Sequence, residues 1–484
     1  MLVSFTVGNF LSFDEDQEFT MVASKSKDHP DHIIFEDNLE LLRFSAIYGA
    51  NASGKSNLIK AFDYSVLALF NQISNEQINK GFLNNLSHRD LSGNQTEGPS
   101  HFQFSFLLED DPRLFVLGLE YDTNNTRIES EWLVARSDDD DEIIYNMNYL
   151  DMSQSFSSNE SIQKIIEKIN GNIQAGTETM ILTILGYGFD NPDEDYNQFE
   201  ELLCCIIGEL LLMRVHTSVD EDFSIPITLN ELGQIVKELS RYDTGITGYR
   251  LQPVLHDYNH HWDEYRFKRD DANSLAFGNA VNIGVSKINY FDNHLSLVSA
   301  SGSLLVHYIP SKVNVPEGYA EVQFLHSFGI NSIPFREESE GTKRLIHLLC
   351  SLHEMRGSSG TIIVDEIECN IHPLAVRKFI HDFINNPDYK KVQLIITTHD
   401  SRLLNYDTMR RDEIWFTESN LKNHNKYTEL YPLQSFIDDS GANIDIAYLE
   451  GRFGAIPVFD DVTEEAEKDA YRFLRFQFQI LRLL

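Results

Sequence analysis

The spacing of apolar residues in the first part of the chain predicts strands, a glycine-rich turn and a helix, followed by more strands. Residues 1–21 alternate between apolar and polar side chains, and residues 41–48 form an apolar run that ends at Gly49, so both segments are predicted as β-strands. After Ser56 the apolar positions recur at the spacing of a helix. Residues 101–136 alternate again around turn signals, which predicts an antiparallel meander after this helix.

Two later segments, GTIIVDE and KVQLIITTHD, are uncharged apolar runs typical of parallel strands that are buried on both faces. The amphipathic segment HPLAVRKFIHDFI between them predicts the helix of a βαβ unit. The region between the meander and these later strands differs in composition from the rest of the chain. Residues 169–236 contain twelve acidic residues and only one basic residue, Arg214. We therefore predict an N-terminal lobe at 1–136, an acidic and mainly helical insertion at 137–285, and a C-terminal lobe at 286–484.

Composition narrows the class of protein. The chain has 484 residues and a formal net charge of −36, which opposes non-specific binding to a phosphate backbone. No segment approaches the roughly 18 uncharged apolar residues of a membrane span, and the N-terminus lacks the pattern of a secretory signal. The four cysteines form neither a zinc-binding nor a disulfide pattern. A cytoplasmic protein without a membrane partner is expected.

The sequence GANASGKS at residues 49–56 matches G-x-x-x-x-G-K-[ST], the phosphate-binding P-loop. In this motif the backbone N–H groups of a tight loop surround phosphates at the N-terminus of a helix. Lys55 is predicted to reach the β- and γ-phosphates of ATP, and Ser56 to bind Mg²⁺. The residues predicted to bind the nucleotide here are Gly49, Asn51, Ala52, Ser53, Gly54, Lys55, Ser56 and Asn57.

Three further polar residues follow the two buried strands. Asp365 ends the first strand and is predicted to hold the Mg²⁺ shell, while Glu366 is predicted to act as a general base toward the attacking water. His399 ends the second strand, where a neutral imidazole could donate to a γ-phosphate oxygen. The alternatives are a pair of solvated carboxylates at a strand end and a structural histidine at the edge of a sheet.

The order of these motifs resembles the ATP-binding cassette (ABC) head of the SMC, Rad50 and OLD-type ATPases. The resemblance implies an α/β fold with a mixed sheet, an antiparallel β subdomain and an inserted helical region. It also implies that a signature segment contacts the γ-phosphate bound by the opposite subunit, so that a homodimer or a higher oligomer encloses ATP and Mg²⁺. The residues in the position of this signature are Ser339, Glu340, Gly341 and Thr342.

A narrower resemblance covers most of the chain. The segments VGNFLSF, GANASGKSN, EESEGT, DEIECNIHP, TTHDSRLL and GRFGAIP are similar to those of bacterial ATPases of the RloA and abortive-infection (AbiLi) type. This resemblance implies control of an effector protein encoded by a neighbouring gene in anti-phage defence. Gln95 is the candidate for the family's Q-loop glutamine. No Asp-x-Asp strand end follows His399, so a TOPRIM nuclease is not expected.

The alternative function is a DNA-engaging repair ATPase of the SMC and Rad50 kind. Such a protein should have a basic groove or long coiled-coil arms. The sequence predicts neither feature, and the net negative charge opposes nucleic-acid binding, which leaves the ATPase that controls a partner protein as the favoured function.

Overall fold

The computed structural model describes residues 1–36, 39–70, 98–109, 111–123, 127–137, 140–169, 179–182, 194–216, 223–227, 229–253, 295–300, 303–308, 318–327, 332–406, 408–422, 425–436 and 444–457. The strands in these ranges are β1 (Leu2–Gly8), β2 (Gln17–Thr20), β3 (Ile33–Glu36), β4 (Leu39–Leu42), β5 (Phe44–Gly49), β6 (Ser100–Leu108), β7 (Asp111–Asp122), β8 (Arg127–Arg136), β9 (Asp141–Asn148), β10 (Met213–His216), β11 (Phe223–Ile227), β12 (Ile246–Pro253), β13 (Leu295–Ala300), β14 (Ser303–Tyr308), β15 (Gly318–His326), β16 (Ser332–Pro334), β17 (Gly360–Val364), β18 (Val392–Thr398), β19 (Ile414–Lys422) and β20 (Asn425–Pro432). The α-helices are α1 (Lys55–Leu69), α2 (Glu160–Ile169), α3 (Glu194–Leu211), α4 (Leu229–Leu239), α5 (Glu340–Glu354), α6 (Pro373–Asn385) and α7 (Ile444–Leu449).

The N-terminal strands form an antiparallel sheet in the order β2-β1-β6-β7-β8-β9. Its apolar face packs on α1, where the rings of Phe5 and Phe62 stack with their centroids 3.9 Å apart. The meander predicted at 101–136 is therefore present. The first predicted strand, however, is a hairpin of β1 and β2, because Asn9 and Leu11 adopt positive φ angles that end the extended backbone.

The central sheet has the order β10-β17-β18-β5-β19-β20. Its first five strands are parallel, and β20 adds an antiparallel edge. Every residue of β5, β17 and β18 is buried, as their uncharged apolar sequences predict. Because these three strands are adjacent and parallel, their carboxyl ends meet at one edge of the sheet. The predicted α/β fold with a mixed sheet and an antiparallel β subdomain is confirmed.

The three-part division of the chain stays a prediction, but strand pairing ties the predicted insertion to both lobes. Within 137–285, β9 extends the N-terminal sheet beside β8, and β10 extends the central sheet beside β17. The described residues of this range also form α2, α3, α4, β11 and β12. A third sheet, β11-β13-β14-β15-β12, joins this range to strands after residue 286. Short strands such as β10 gain their stability from a sheet edge distant in sequence, so local composition does not reveal them.

Among the residues that the structure describes, no helix combines the length and the apolar character needed to cross a bilayer.

Candidate active site

The P-loop connects the end of β5 at Gly49 to the start of α1 at Lys55. Gly54 has a φ of 114°, a conformation that side chains other than glycine rarely adopt. A Cβ atom on Gly54 would lie 2.3 Å from Oγ1 of Thr428, and one on Gly49 would lie 2.4 Å from Oγ1 of Thr417. Both glycines of the motif are therefore required by the close approach of neighbouring strands.

Two threonines of the β19–β20 hairpin hold the loop in this shape. Oγ1 of Thr417 lies 2.6 Å from Oγ of Ser53, and the Thr428 hydroxyl lies 2.9 Å from the carbonyl oxygen of Ser53. The hydroxyl of Ser12 lies 2.8 Å from Oγ1 of Thr428 and accepts a hydrogen bond of 2.8 Å from Nδ2 of Asn57. Ser53 and Asn57, which are predicted to bind the nucleotide, fix the loop in the structure.

The P-loop fits a phosphate group. The first N–H groups of α1 have no acceptor within the helix, and the helix dipole favours an anion at this end. Nζ of Lys55 donates to the carbonyl oxygens of Gly49 and Ala50 at 2.9 and 3.1 Å. Burial lowers the pKa of Lys55 to about 8, against the opposing effect of nearby carboxylates. A phosphate would supply this buried ammonium with a negative partner.

Asp365 and Glu366 follow β17 at the same edge of the sheet. Oγ1 of Thr397, at the end of β18, donates to Oδ1 of Asp365 at 2.5 Å and accepts from the backbone N–H of Glu366 at 2.8 Å. Glu366 has a φ of 46°, and its side chain is 51% exposed. The carboxylate of Asp365 and the hydroxyl of Ser56 are hard oxygen donors, which suit Mg²⁺. The exposed part of the Glu366 side chain is accessible to water.

His399 joins the P-loop to Glu366. Its Nδ1 lies 3.5 Å from Nζ of Lys55, and its Nε2 lies 3.9 Å from Oε1 of Glu366. Its backbone N–H donates to Oε1 of Glu368 at 2.5 Å. Burial, followed by the charge of Lys55, lowers the pKa of His399, which favours the neutral imidazole. With Nδ1 accepting from Lys55, the proton resides on Nε2 and can be donated to a phosphate oxygen.

The signature segment begins α5, and Ser339 is its N-cap. Oγ of Ser339 accepts from the backbone N–H of Thr342 at 3.2 Å and lies 2.8 Å from the hydroxyl of Thr342. A Cβ atom on Gly341 would lie 2.3 Å from the carbonyl oxygen of Asn370 in the same chain. Nη2 of Arg344 donates to the carbonyl oxygen of Asp365 at 2.9 Å. Helix α5 is thus packed on the segment that follows the strand of Asp365.

The structure brings Lys55, Glu366 and His399 together, whereas the described side-chain hydrogen bonds of Ser339 and Thr342 are with each other and not with residues 49–56. The side chain of Glu340 is exposed and pairs with Lys343 at 2.9 Å. A role of the signature segment at another subunit's nucleotide therefore stays a prediction. Gln95 lies outside the described residues.

Sequence reasoning missed three residues that position this site, namely Thr397, Glu368 and Arg344. Thr397 and Glu368 belong to the segments TTHD and DEIEC, in which only the neighbouring residues had been assigned a role. The available signal for Thr397 was a polar residue near the end of an apolar run, where it can face the carboxylate that ends the neighbouring strand. Nothing in the sequence pairs Arg344 with a backbone carbonyl 21 residues away.

Comparison with known proteins gives one family. The model of the family described as "AAA domain, putative AbiEii toxin, Type IV TA system" matches residues 44–175 and 244–405. No curated protein matches the chain.

Solved structures of SMC heads are among those that match. An SMC head bound to the C-terminal winged-helix domain of ScpA is 13% identical, with a TM-score of 0.39, 90% of this chain covered and 99% of that chain covered. The SMC head domain from Thermotoga maritima is 12% identical, with a TM-score of 0.33. The match covers 89% of this chain and 98% of that chain. A third match is an SMC head with an extended coiled coil, derived from Pyrococcus furiosus and bound to the C-terminal domain of ScpA. It is 14% identical, with a TM-score of 0.38, and the match covers 93% of this chain and 99% of that chain.

Proposed function

The chain belongs to this family of AAA domains, and from that premise we propose that it binds ATP with Mg²⁺ and hydrolyses it to ADP and phosphate. The observation that carries the proposal is the series of contacts from Lys55 through His399 to Glu366 at the ends of three adjacent strands. A cation in the P-loop, with a neutral imidazole and an exposed carboxylate beside it, can support the transfer of a phosphoryl group to water.

Each of these residues has a distinct task in the proposed reaction. The N–H groups at the start of α1 and the ammonium of Lys55 bind the phosphates. Ser56 and Asp365 would hold Mg²⁺, which when bound neutralises negative charge on the phosphates. Glu366 orients a water molecule and accepts its proton, and His399 donates from Nε2 to a phosphate oxygen.

We further propose that two copies of the chain form the working unit. The residues Ser339–Thr342 would then contact the nucleotide bound by the other copy, because they begin a helix and do not contact the P-loop of their own chain among the described hydrogen bonds. Closure around ATP and opening after hydrolysis would allow the protein to control an effector. The family description names a putative AbiEii toxin and a type IV toxin–antitoxin system, and we propose that the partner of this ATPase is an effector of anti-phage defence.

Two variants test the hydrolysis proposal. Glu366→Gln should bind Mg·ATP with unchanged affinity and release phosphate about 10² to 10⁴ times more slowly, because it lacks the general base. Lys55→Ala should lose nucleotide binding. Nucleotide affinity and phosphate release are measured on both variants and on Glu109→Gln, which replaces a glutamate that is 61% exposed and bound to Lys391. Phosphate release by Glu366→Gln at the rate of Glu109→Gln would remove Glu366 from this role.

A further inference from the structure

A cavity of about 510 Å³ lies where the loop before β3 meets helix α6 and the segment between β18 and β19. Three residues of the sequence HPDH line it, namely His29, Asp31 and His32. One potential ligand atom from each of them lies within 4.8 Å of the other two. None of these residues belongs to the proposed nucleotide site.

Each histidine is held through one ring nitrogen. Nε2 of His29 lies 2.7 Å from the carbonyl oxygen of Tyr406, and Nδ1 of His32 lies 2.7 Å from Oε1 of Glu413. The carbonyl oxygen can only accept, so His29 donates from Nε2; when ionised, Glu413 accepts from Nδ1–H of His32. This leaves Nδ1 of His29 and Nε2 of His32 with free lone pairs. Histidines that bind metal ions are oriented in this way by carbonyl and carboxylate groups.

The carboxylate behind His32 is itself fixed in a buried polar cluster. Oε2 of Glu413 accepts from the backbone N–H of Arg410 at 2.8 Å, and both residues are fully buried. The guanidinium of Arg410 donates twice to Asp412, at 2.9 and 2.7 Å, and Asp412 also accepts from the backbone N–H of Ser24 at 2.6 Å. The orientation of His32 therefore depends on a rigid support that links the N-terminal loop to residues 410–413.

The backbone at His29 is strained. Its φ of 46° lies in the left-handed region, although it precedes Pro30, and a residue before proline prefers an extended conformation. Strain of this kind persists where the surrounding structure enforces it, and it is concentrated at functional sites. The rings of His29 and His32 are stacked, with centroids 4.9 Å apart.

We propose that His29, Asp31 and His32 form a binding site for a divalent transition-metal ion of the Zn²⁺ class, with water as the fourth ligand. Two imidazole nitrogens and one carboxylate oxygen suit Zn²⁺, whereas Mg²⁺ and Ca²⁺ take oxygen ligands. Bonds of about 2.0 to 2.1 Å place tetrahedral ligand atoms about 3.3 Å apart. The ligand atoms must therefore approach one another on binding, and the exposed side chain of Asp31 can move to do so.

The cations that line the cavity already have acceptors. Arg402 donates to Asp400 at 2.7 Å, and Nζ of Lys378 donates to Asp382 at 2.8 Å. Arg377 donates to the backbone carbonyl of Arg402. The carboxylates of Asp400 and Asp382 offset the charges of Arg402 and Lys378, which would otherwise oppose a bound cation.

The experiment uses the full chain, freed of metal with a chelator and titrated with Zn²⁺ in the absence of nucleotide. The wild-type protein should bind one equivalent that is absent from His29→Ala and from His32→Ala. His381→Ala is the matched control, because His381 lines the same cavity and its side chain is 73% exposed. The His381→Ala variant should still bind one equivalent of Zn²⁺. Titration with Co²⁺ should give the visible absorption of a tetrahedral site in wild type and in His381→Ala only.

Two further variants sharpen the outcome. In Glu413→Gln the amide oxygen can accept from Arg410 and the amide N–H₂ then donates to Nδ1 of His32, which moves the ring proton to Nε2 and should weaken Zn²⁺ binding about 10- to 100-fold. His29→Ala should hydrolyse ATP as wild type does, so loss of zinc and loss of the proposed activity are separable. Retention of the equivalent in His29→Ala, or its loss only when Cys204 and Cys205 are replaced by serine, would refute the site.

Discussion

Thr397 contacts both Asp365 and Glu366 of the candidate site. Its hydroxyl donates to the carboxylate of Asp365 and accepts from the backbone N–H of Glu366, and its side chain is fully buried. Valine has the same shape without the hydroxyl, so it would leave both partners without this hydrogen bond. Thr397 is a positioning residue, which acts through Asp365 and Glu366.

We predict that Thr397→Val raises the Mg²⁺ concentration needed for half-maximal hydrolysis, or lowers the maximal rate, by about 10- to 100-fold. The measurement is the rate of phosphate release across a range of Mg²⁺ concentrations. Thr398→Val is the matched control, because the buried hydroxyl of Thr398 accepts a hydrogen bond from the backbone N–H of Asp400 instead. Thr397→Ser should restore the Mg²⁺ dependence. Equal behaviour of the two valine variants would show that the hydroxyl of Thr397 does not position the site.

At the scale of the element, strand β8 carries a carboxylate into the core of the N-terminal sheet. Glu131 is fully buried, and it accepts hydrogen bonds from the hydroxyls of Tyr145 and Tyr149 at 2.6 and 3.2 Å and from the backbone N–H of Met180 at 2.8 Å. Burial raises the pKa of Glu131 above its ordinary value of 4.5, although these hydrogen bonds oppose the shift. The residue ties β9 and the segment at Met180 to β8.

This raised pKa predicts a pH-dependent stability. The folded protein keeps the proton of Glu131 over a pH range in which the unfolded chain has released it, so the contribution is complete below the unfolded pKa and is lost as pH rises through the folded pKa. Glu131→Gln removes this titration, since its amide can accept from Met180 and donate to Tyr145. Wild type should therefore lose stability relative to Glu131→Gln as the pH rises from the ordinary carboxyl pKa of 4.5 to the raised pKa of the folded state, by up to about 1.4 kcal/mol per pH unit.

Unfolding midpoints in urea at several pH values check this expectation. Glu142→Gln, which replaces a glutamate on β9 that is 42% exposed and bound to Arg113, supplies the baseline for exchanging a surface glutamate. If the stability difference between wild type and Glu131→Gln stays constant with pH, the raised pKa of buried Glu131 is contradicted.

At the scale of the whole molecule, the proposed composite site constrains which variants can test it. Any side chain at Gly341 would collide with the carbonyl oxygen of Asn370 in its own chain, so loss of activity there would not report on a second subunit. Ser339 is exposed and caps α5. Aspartate caps a helix as well as serine does, but it adds a negative charge that would repel a phosphate, whereas asparagine caps without charge.

We therefore predict that Ser339→Asp abolishes hydrolysis and that Ser339→Asn reduces it far less. Lys55→Ala should also be inactive by itself. Mixing Lys55→Ala with Ser339→Asp should restore up to about a quarter of the wild-type rate, because half of the dimers formed by statistical exchange contain one site with both intact surfaces. Phosphate release after subunit exchange is the measurement. Continued inactivity in demonstrated mixed dimers, or full activity of Ser339→Asp alone, would argue against independent sites that are shared between subunits.

The sequence by itself determined the features that depend on neighbours in the chain. The P-loop is one such feature, because a tight turn between a buried strand and a helix needs glycine at fixed positions, and Gly49 and Gly54 adopt those positions. The buried strands that precede Asp365 and His399 could also be predicted, since a strand covered on both faces excludes charged residues along its whole length. Parallel pairing then places their ends at one edge.

Only the tertiary structure decided which distant residues support these motifs. The hairpin that carries Thr417 and Thr428 follows the P-loop by more than 350 residues, and its polar contacts have no periodic signature. The four-residue strand β10 became part of the central sheet because an exposed edge was available beside β17. Glu413 likewise orients His32 across 381 residues. Such pairings arise from packing between separate elements, which local patterns of polarity do not encode.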